Sequence, residues 1–375
     1  MESLTLSRTA NSIQWKQLWS LAALYGSVVI GWIAYQNYQP KLLEKFQFTD
    51  FAFMLMVGQG IILVVTPPLA GMLGDRHRFH NGHRIPVISA GISFAAMVFM
   101  AVAFTLLGNP GEIFKWVLPF LIVFWLIAMS IFTSPALSTL ELFTPVDKLP
   151  RAMAVLTIVA NLIYAIEPII VDIIDYIGAP LTFMAGGAVV LASGYALRKN
   201  SLSLFSLSDN KERQPRKMIS LNDQKSQLGY IFFLGIALGI PTSIMFNLFP
   251  DAIGIKASDM LSGLSGKMMV VYMLGLSALI SLPASTLVNK YGASKSFWTS
   301  FIIIMMSTAV IFISQSVFMI LFMAAIFTVT FTMLSVSALP LAMSRSNYYE
   351  KVFCVGIFFS GVSVPDGIIN AIQAF

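Results

Sequence analysis

Eleven apolar runs of roughly twenty residues each, separated by polar turns, dominate this chain. They cover roughly 17–38, 50–73, 86–107, 113–137, 151–173, 178–197, 228–250, 267–288, 296–315, 317–341 and 350–372. A continuous apolar run of that length matches an α-helix crossing about 30 Å of hydrocarbon. Membrane strands would instead alternate apolar and polar positions over about ten residues. The composition agrees: 57% of residues are hydrophobic, 11% are charged, and the mean hydropathy is +0.81. A soluble domain carries roughly a quarter of its residues as charges. The expected fold class is therefore an all-α polytopic membrane protein with about eleven transmembrane helices.

The net charge of +6 does not point to nucleic acid, because the basic residues lie in alternate turns. With the N-terminus placed inside, 18 of the 23 Lys and Arg residues fall on the inner side. Only Lys41, Lys45, Lys115, Lys256 and Lys267 fall outside. That bias predicts a multi-pass protein of the cell (inner) membrane with a cytoplasmic N-terminus. Residues 1–15 are polar and lack the apolar core of a signal peptide, so insertion is expected to begin with the first span. The single cysteine, Cys354, excludes an internal disulfide.

The polar stretch from about 198 to 227 reads as a cytoplasmic linker. It divides a six-helix bundle, 1–197, from a second bundle of about five helices, 228–375. The halves carry similar basic turns at corresponding places. Residues 71–86 follow the second span and Asn289–Lys295 follow the eighth; Pro145–Arg151 follow the fourth and Ser344–Lys351 the tenth. Such pairing predicts two pseudo-symmetric bundles. On that count the last helix of the second bundle is missing.

The densest polar stretch is the turn Gly71–Pro86. It holds Asp75, Arg76, Arg78, Arg84 and all three histidines, His77, His80 and His83. Here the chain resembles the major facilitator superfamily, which carries a Gly-x-x-x-Asp-Arg-x-Gly-Arg-Arg turn between its second and third helices. Gly71, Asp75, Arg76, Gly82 and Arg84 match, with extra residues before Gly82. Pro68 and Pro86 also fit the longer turn of the glycoside and sucrose cation symporters, while His83 stands where an arginine is usual. The stretch Gly31–Pro40 is similar to the Gly-Trp-x-x-Gln segment of those symporters. Ser134, Pro135, Glu141, Pro145, Arg151 and Ala152 are similar to their Ser-Pro…Pro…Arg-x-x-Ala pattern.

The resemblance implies two helical bundles that open a central site to each side in turn. It also implies a gate on the cytoplasmic side, in which Asp75 meets the start of the eleventh helix. A carboxylate there would face free N–H groups and the positive end of the helix dipole, for about 0.3–1 kcal/mol. Gly71, Arg84 and Glu141 belong to that gate, and Arg76 and Arg151 are expected to form a charge network with Asp75 and Glu141. The alternative is that these arginines only follow the positive-inside rule.

Glu167 in the fifth span and Asp366 in the eleventh are intramembrane acids, each beside a proline. An unpaired charge at mid-membrane costs at least about 2.5–3.5 kcal/mol, so it tends to face a cavity or a partner. Both are candidates for binding solute or a coupling ion; the alternative is a hydrated position near the outer mouth. Tyr35, Gln36 and Asn37 end the first span and offer an aromatic face and amides to a sugar; the alternative is an interfacial aromatic belt. Trp32, Trp125 and Tyr164 are further candidates for lining the cavity.

His77, His80 and His83 have a spacing that suits zinc, but the surrounding arginines disfavour a cation. No metal, cofactor or nucleic-acid partner is expected, nor an enzymatic activity. The expected function is secondary active transport of a small solute, a sugar or glycoside, driven by a proton or sodium ion. The other readings are a drug, peptide or organic-ion carrier, and a non-transporting membrane receptor or assembly factor on the same scaffold.

Overall fold

The computed structural model describes residues 12–45, 52–81, 84–108, 117–208, 221–257, 265–346 and 350–373. The described residues are almost all helical, with no strand among them. The helices are α1 (Trp15–Lys45), α2 (Ala52–Asn81), α3 (Ile85–Leu107), α4 (Val117–Leu137), α5 (Leu149–Ala165), α6 (Glu167–Ile177) and α7 (Ala179–Ser208). The later part of the chain adds α8 (Leu221–Ser243), α9 (Phe249–Ala257), α10 (Gly266–Tyr291), α11 (Ala293–Ile313), α12 (Val317–Arg345) and α13 (Lys351–Gln373). By length and composition ten described helices can cross a membrane, or eleven if the bent pair α5–α6 is one span. The eleven expected spans fall on these helices.

Local chemistry sets the breaks. Pro150 and Pro168 stand in the first turns of α5 and α6, where a missing N–H costs no helical bond. Pro168 also bends the fifth span by 59° at Ile166. Hydrogen bonds continue on both sides of the bend, from Ile166 N–H to Leu162 O and from Ile170 N–H to Ile166 O. That continuity is what hydrocarbon requires of a backbone. Gly178 and Gly292, at φ of 85° and 89°, turn the chain tightly into α7 and α11. A π-helical turn, Ile244–Leu248, joins α8 to α9 between Pro241 and Pro250. Of the linker expected at 198–227, residues 198–208 belong to α7 and 221–227 to α8.

Three turns rich in basic residues meet at one end of the molecule, here the basic face: Arg84 reaches Ser138 and Glu141, and Glu141 is paired with Lys351. Large apolar side chains such as Met97, Phe104, Phe120, Leu279, Ile313 and Phe318 are exposed and suit contact with lipid. Within the first half α1 packs on α5 and α7, α3 on α4 and α7, and α2 on α4. In the second half α8 packs on α13, and α12 on α10 and α11. Two seams join the halves: α2 with α13, and α5 with α10 and α12.

Glycine makes the first seam and fixes α13. A Cβ on Gly356 would lie 2.3 Å from the Pro67 carbonyl oxygen of α2. On its other side, a Cβ on Gly235 of α8 would lie 2.1 Å from the Phe358 oxygen. Small residues let membrane helices approach to backbone contact, where packing replaces the hydrophobic effect. α13 is thus held backbone to backbone between a helix of the first half and a helix of its own half.

Candidate functional site

The seam between α2 and α13 closes at the basic face. Gly71 and Gly74 lie on the side of α2 that meets the first turn of α13. A Cβ on Gly71 would sit 2.6 Å from both the Val352 oxygen and the Phe353 Cα, and one on Gly74 would sit 3.0 Å from Val352 Cγ1. This approach carries Asp75 to the free N–H groups of the α13 N-terminus. Its Oδ1 accepts from Val352 N–H at 3.2 Å and its Oδ2 from Phe353 N–H at 2.8 Å. The Asp75 carboxylate is buried and the charges of Arg84 and Arg78 bear on it. First-turn N–H groups have no partner inside their own helix, and the dipole favours an anion there.

Glu141, in the short helix Leu140–Phe143, makes the second contact. It is paired with Lys351 at the first position of α13, and its Oε1 lies 3.6 Å from Arg84 Nη2. A lysine at a helix N-terminus opposes the dipole; Glu141 offsets that cost. Arg84 is almost fully buried and donates from Nη1 to the Ser138 carbonyl at 3.1 Å and to Ser138 Oγ at 2.6 Å. The expected network needs correction in its basic members. Arg76 is exposed, one residue and so about 100° around the helix from Asp75. Arg151 is exposed, with its guanidinium 5.9 Å from the centre of the Trp15 ring. Arg84 and Lys351 take the places expected for them. Gly82 and the side chains of His80 and His83 lie outside the described residues.

The Glu141–Lys351 pair is partly buried, so breaking it should cost about 1–3 kcal/mol, between the exposed and buried cases. Glu141→Gln is therefore expected to lower the melting temperature of the purified protein by a few degrees. The exchange Glu141→Lys with Lys351→Glu should not recover that loss, because it sets a lysine beside the buried Arg84 guanidinium.

Above the closure a cavity of about 200 Å³ lies between the halves. It is lined from α1, α4 and α5 of the first half, and from α8, the π turn, α12 and α13 of the second. Of its seventeen lining residues, six are polar: Tyr25, Thr157, Asn161, Tyr164, Thr242 and Ser335. None carries a formal charge. Rings of Tyr164 and Phe246, 5.0 Å apart, meet across the halves at the cavity. Ligand pockets commonly span about 300–1,000 Å³, so this conformation is narrow for a large solute.

None of the five expected solute or ion residues lines this cavity. Tyr35 is buried in an aromatic cluster of the first half, stacked on Trp125 with ring centres 4.6 Å apart, and it donates to Gln59 Oε1 at 3.0 Å. Gln36 is exposed. Asn37 donates to Asp175 Oδ1 at 2.9 Å, beside the Lys41–Asp175 ion pair, so it ties α1 to α6. Glu167 opens α6 just past the bend, half-buried, within the electrostatic reach of Lys267. Asp366 accepts from Asn247 at 2.8 Å and from Asn370 at 3.1 Å. Both acids act electrostatically on Tyr164, so they flank the cavity on the side away from the basic face. Tyr164 does line the cavity; Trp32 and Trp125 pack in the Tyr35 cluster.

Tyr25, Thr157, Asn161, Thr242 and Ser335 line the cavity without having been expected there. Asn161 alone gave a signal, an amide inside an apolar span. Compared with known protein families, residues 12–365 match the model described as Major Facilitator Superfamily. No curated protein matches the chain.

Proposed function

The chain belongs to the Major Facilitator Superfamily and is a membrane transporter, and from that premise we propose that it moves an uncharged, hydroxyl-bearing small solute, a sugar or glycoside, driven by a proton or sodium ion. Solute enters the cavity between two rocking bundles, divided near residues 209–220, and the basic face is cytoplasmic. The observation that carries this reading is the cavity itself. Its lining offers aromatic rings, three hydroxyls of Ser and Thr, one amide and no charge. Such a surface stacks on a sugar ring and bonds its hydroxyls, while an ionic solute would enter without a counter-charge. The eleven apolar lining residues favour a second reading, an apolar organic solute with few polar groups.

Glu167 and Asp366 are proposed to serve the coupling ion. They are carboxylates beside Tyr164, between the cavity and the face opposite the basic turns. A group that gains and loses a proton with the conformational change would tie ion movement to solute movement. Asp75 is proposed to hold the cytoplasmic side closed while the other side is open.

Uptake by proteoliposomes tests both points, using a panel of sugars, glycosides and apolar organic solutes under imposed pH and sodium gradients. A sugar or glycoside should accumulate against its gradient, and collapse of the ion gradient should stop it. Glu167→Gln is expected to keep downhill exchange and lose uphill accumulation about tenfold or more, the effect of losing about 1.4 kcal/mol of coupling. Full ion-driven accumulation in that variant removes Glu167 from the mechanism. Accumulation of apolar solutes alone favours the second reading.

A further inference from the structure

We infer that Asn161 is the residue that both selects a solute hydroxyl and links its recognition to the contact between the halves; this rests on reading the cavity as the solute site. Asn161 lies on α5, is only 8% exposed, and lines the cavity. Its Nδ2 donates to Ser277 Oγ of α10 at 2.8 Å. Ser277 Oγ lies 2.7 Å from Thr332 Oγ1 of α12, and Thr332 Oγ1 lies 2.7 Å from the Thr328 carbonyl oxygen. This buried chain runs from the cavity wall of the first half into two helices of the second.

The direction of the chain is fixed by counting hydrogens. A carbonyl oxygen only accepts, so the single hydroxyl hydrogen of Thr332 goes to Thr328. Thr332 Oγ1 must then accept from Ser277, which uses the single hydrogen of Ser277. Ser277 Oγ therefore accepts from Asn161, and only the NH₂ group of the amide can supply that bond. Amide orientation is an assignment that the hydrogen-bond network must decide, and here one orientation satisfies every member. Asn161 lines the cavity, and Oδ1 is the acceptor that the amide has left for it. A solute O–H donates to Oδ1. Thr157, one turn earlier on the same face, uses its hydrogen on the Met153 carbonyl at 3.0 Å, so it too meets the cavity as an acceptor.

A site built to accept from a solute hydroxyl discriminates against the analogue lacking it. Because the same amide holds Ser277, parting α5 from α10 disturbs the group that binds the solute. Asn161 is thus a solute contact toward the cavity and a positioning residue toward the second half.

The test uses the purified full chain in detergent, with thermal shift and equilibrium binding of methyl glycosides and their monodeoxy analogues. For a glycoside that binds, removal of one particular hydroxyl should weaken binding about tenfold in the unaltered protein. In Asn161→Ala the parent glycoside should weaken by the same factor. Discrimination at that hydroxyl should vanish, and discrimination at the others should remain. Asn161→Asp keeps an acceptor toward the solute and loses the donor to Ser277. It should retain the discrimination and melt at lower temperature, and it decides the matter if the alanine variant does not fold. Retention of every discrimination in Asn161→Ala, or its loss in Asn161→Asp, overturns the inference and leaves the sugar reading standing. If no glycoside binds the unaltered protein, both fall.

Discussion

Gly71→Leu is expected to reduce transport about a hundredfold while leaving membrane insertion intact. The position tolerates no side chain, because a Cβ would stand 2.6 Å from the Val352 oxygen and the Phe353 Cα and 2.8 Å from the Phe353 nitrogen. These are backbone atoms of a helix held on its other side by α8, so they cannot rotate away. Overpacking of this kind costs about 1–3 kcal/mol or more, and about 2.7 kcal/mol is a hundredfold in a population. The cost falls only on the conformation in which α2 and α13 touch. The variant should therefore collect in states open at the basic face, read as faster alkylation of a cysteine introduced there. Gly58 provides the control on the same helix. A Cβ at Gly58 meets nothing within 4 Å, so Gly58→Leu should transport normally.

Asp75→Ala is expected to shift the same equilibrium toward the open basic face by about 3 kcal/mol, roughly a hundredfold in population. The carboxylate accepts two backbone N–H groups, and hydrogen bonds to charged groups are worth about 1.5–3 kcal/mol each. Its removal leaves those donors buried and strips the anion from a helix N-terminus. It also leaves Arg78 and Arg84 near a positive helix end with one acid fewer. Asp75→Asn retains one acceptor, so its shift should be smaller. Protein yield in the membrane should not change, since Asp75 contacts form between elements already inserted. Normal transport together with normal accessibility of the basic face in Asp75→Ala would leave Arg76, Arg78 and Arg84 as topological markers only.

The spans were legible because hydrocarbon imposes one rule on every segment: a helix of sufficient length with its backbone bonds satisfied internally. What lay between the spans was less legible. Pro168 marks the bend at Ile166, but a proline is also compatible with a straight first turn, so the 59° angle could not be read. Polar residues around 198–208 suggested a linker, yet α7 continues through them to Ser208. The meeting of Asp75 with the α13 start came from the family resemblance; nothing in the spacing required it. Arg84, Ser138, Glu141 and Lys351 come together across more than 260 positions of chain, and no local pattern encodes such a pairing.

The cavity was the least legible feature. Thr157 and Thr242 bond to their own helix carbonyls, at Met153 and Leu238, as such residues do in many membrane helices. Their sequence signature does not separate a cavity wall from a helix interior. Conversely, Tyr35, Gln36 and Asn37 have the chemistry of a sugar site, but α1 turns them to the Trp125 cluster, to an exposed surface and to Asp175. Residue type suggested what these groups could bind; only packing decided what they face.

The central claim is that transport requires α2 and α13 to part at the basic face. A cross-link between Gly74→Cys and Val352→Cys, on a Cys354→Ser background, tests it most directly. The Cβ positions are 3.5 Å apart, within the range of about 3.5–4.5 Å that a disulfide spans. Oxidation should form the bond, and uptake in proteoliposomes should stop until a reductant restores it. Unchanged uptake by fully cross-linked protein would contradict the account.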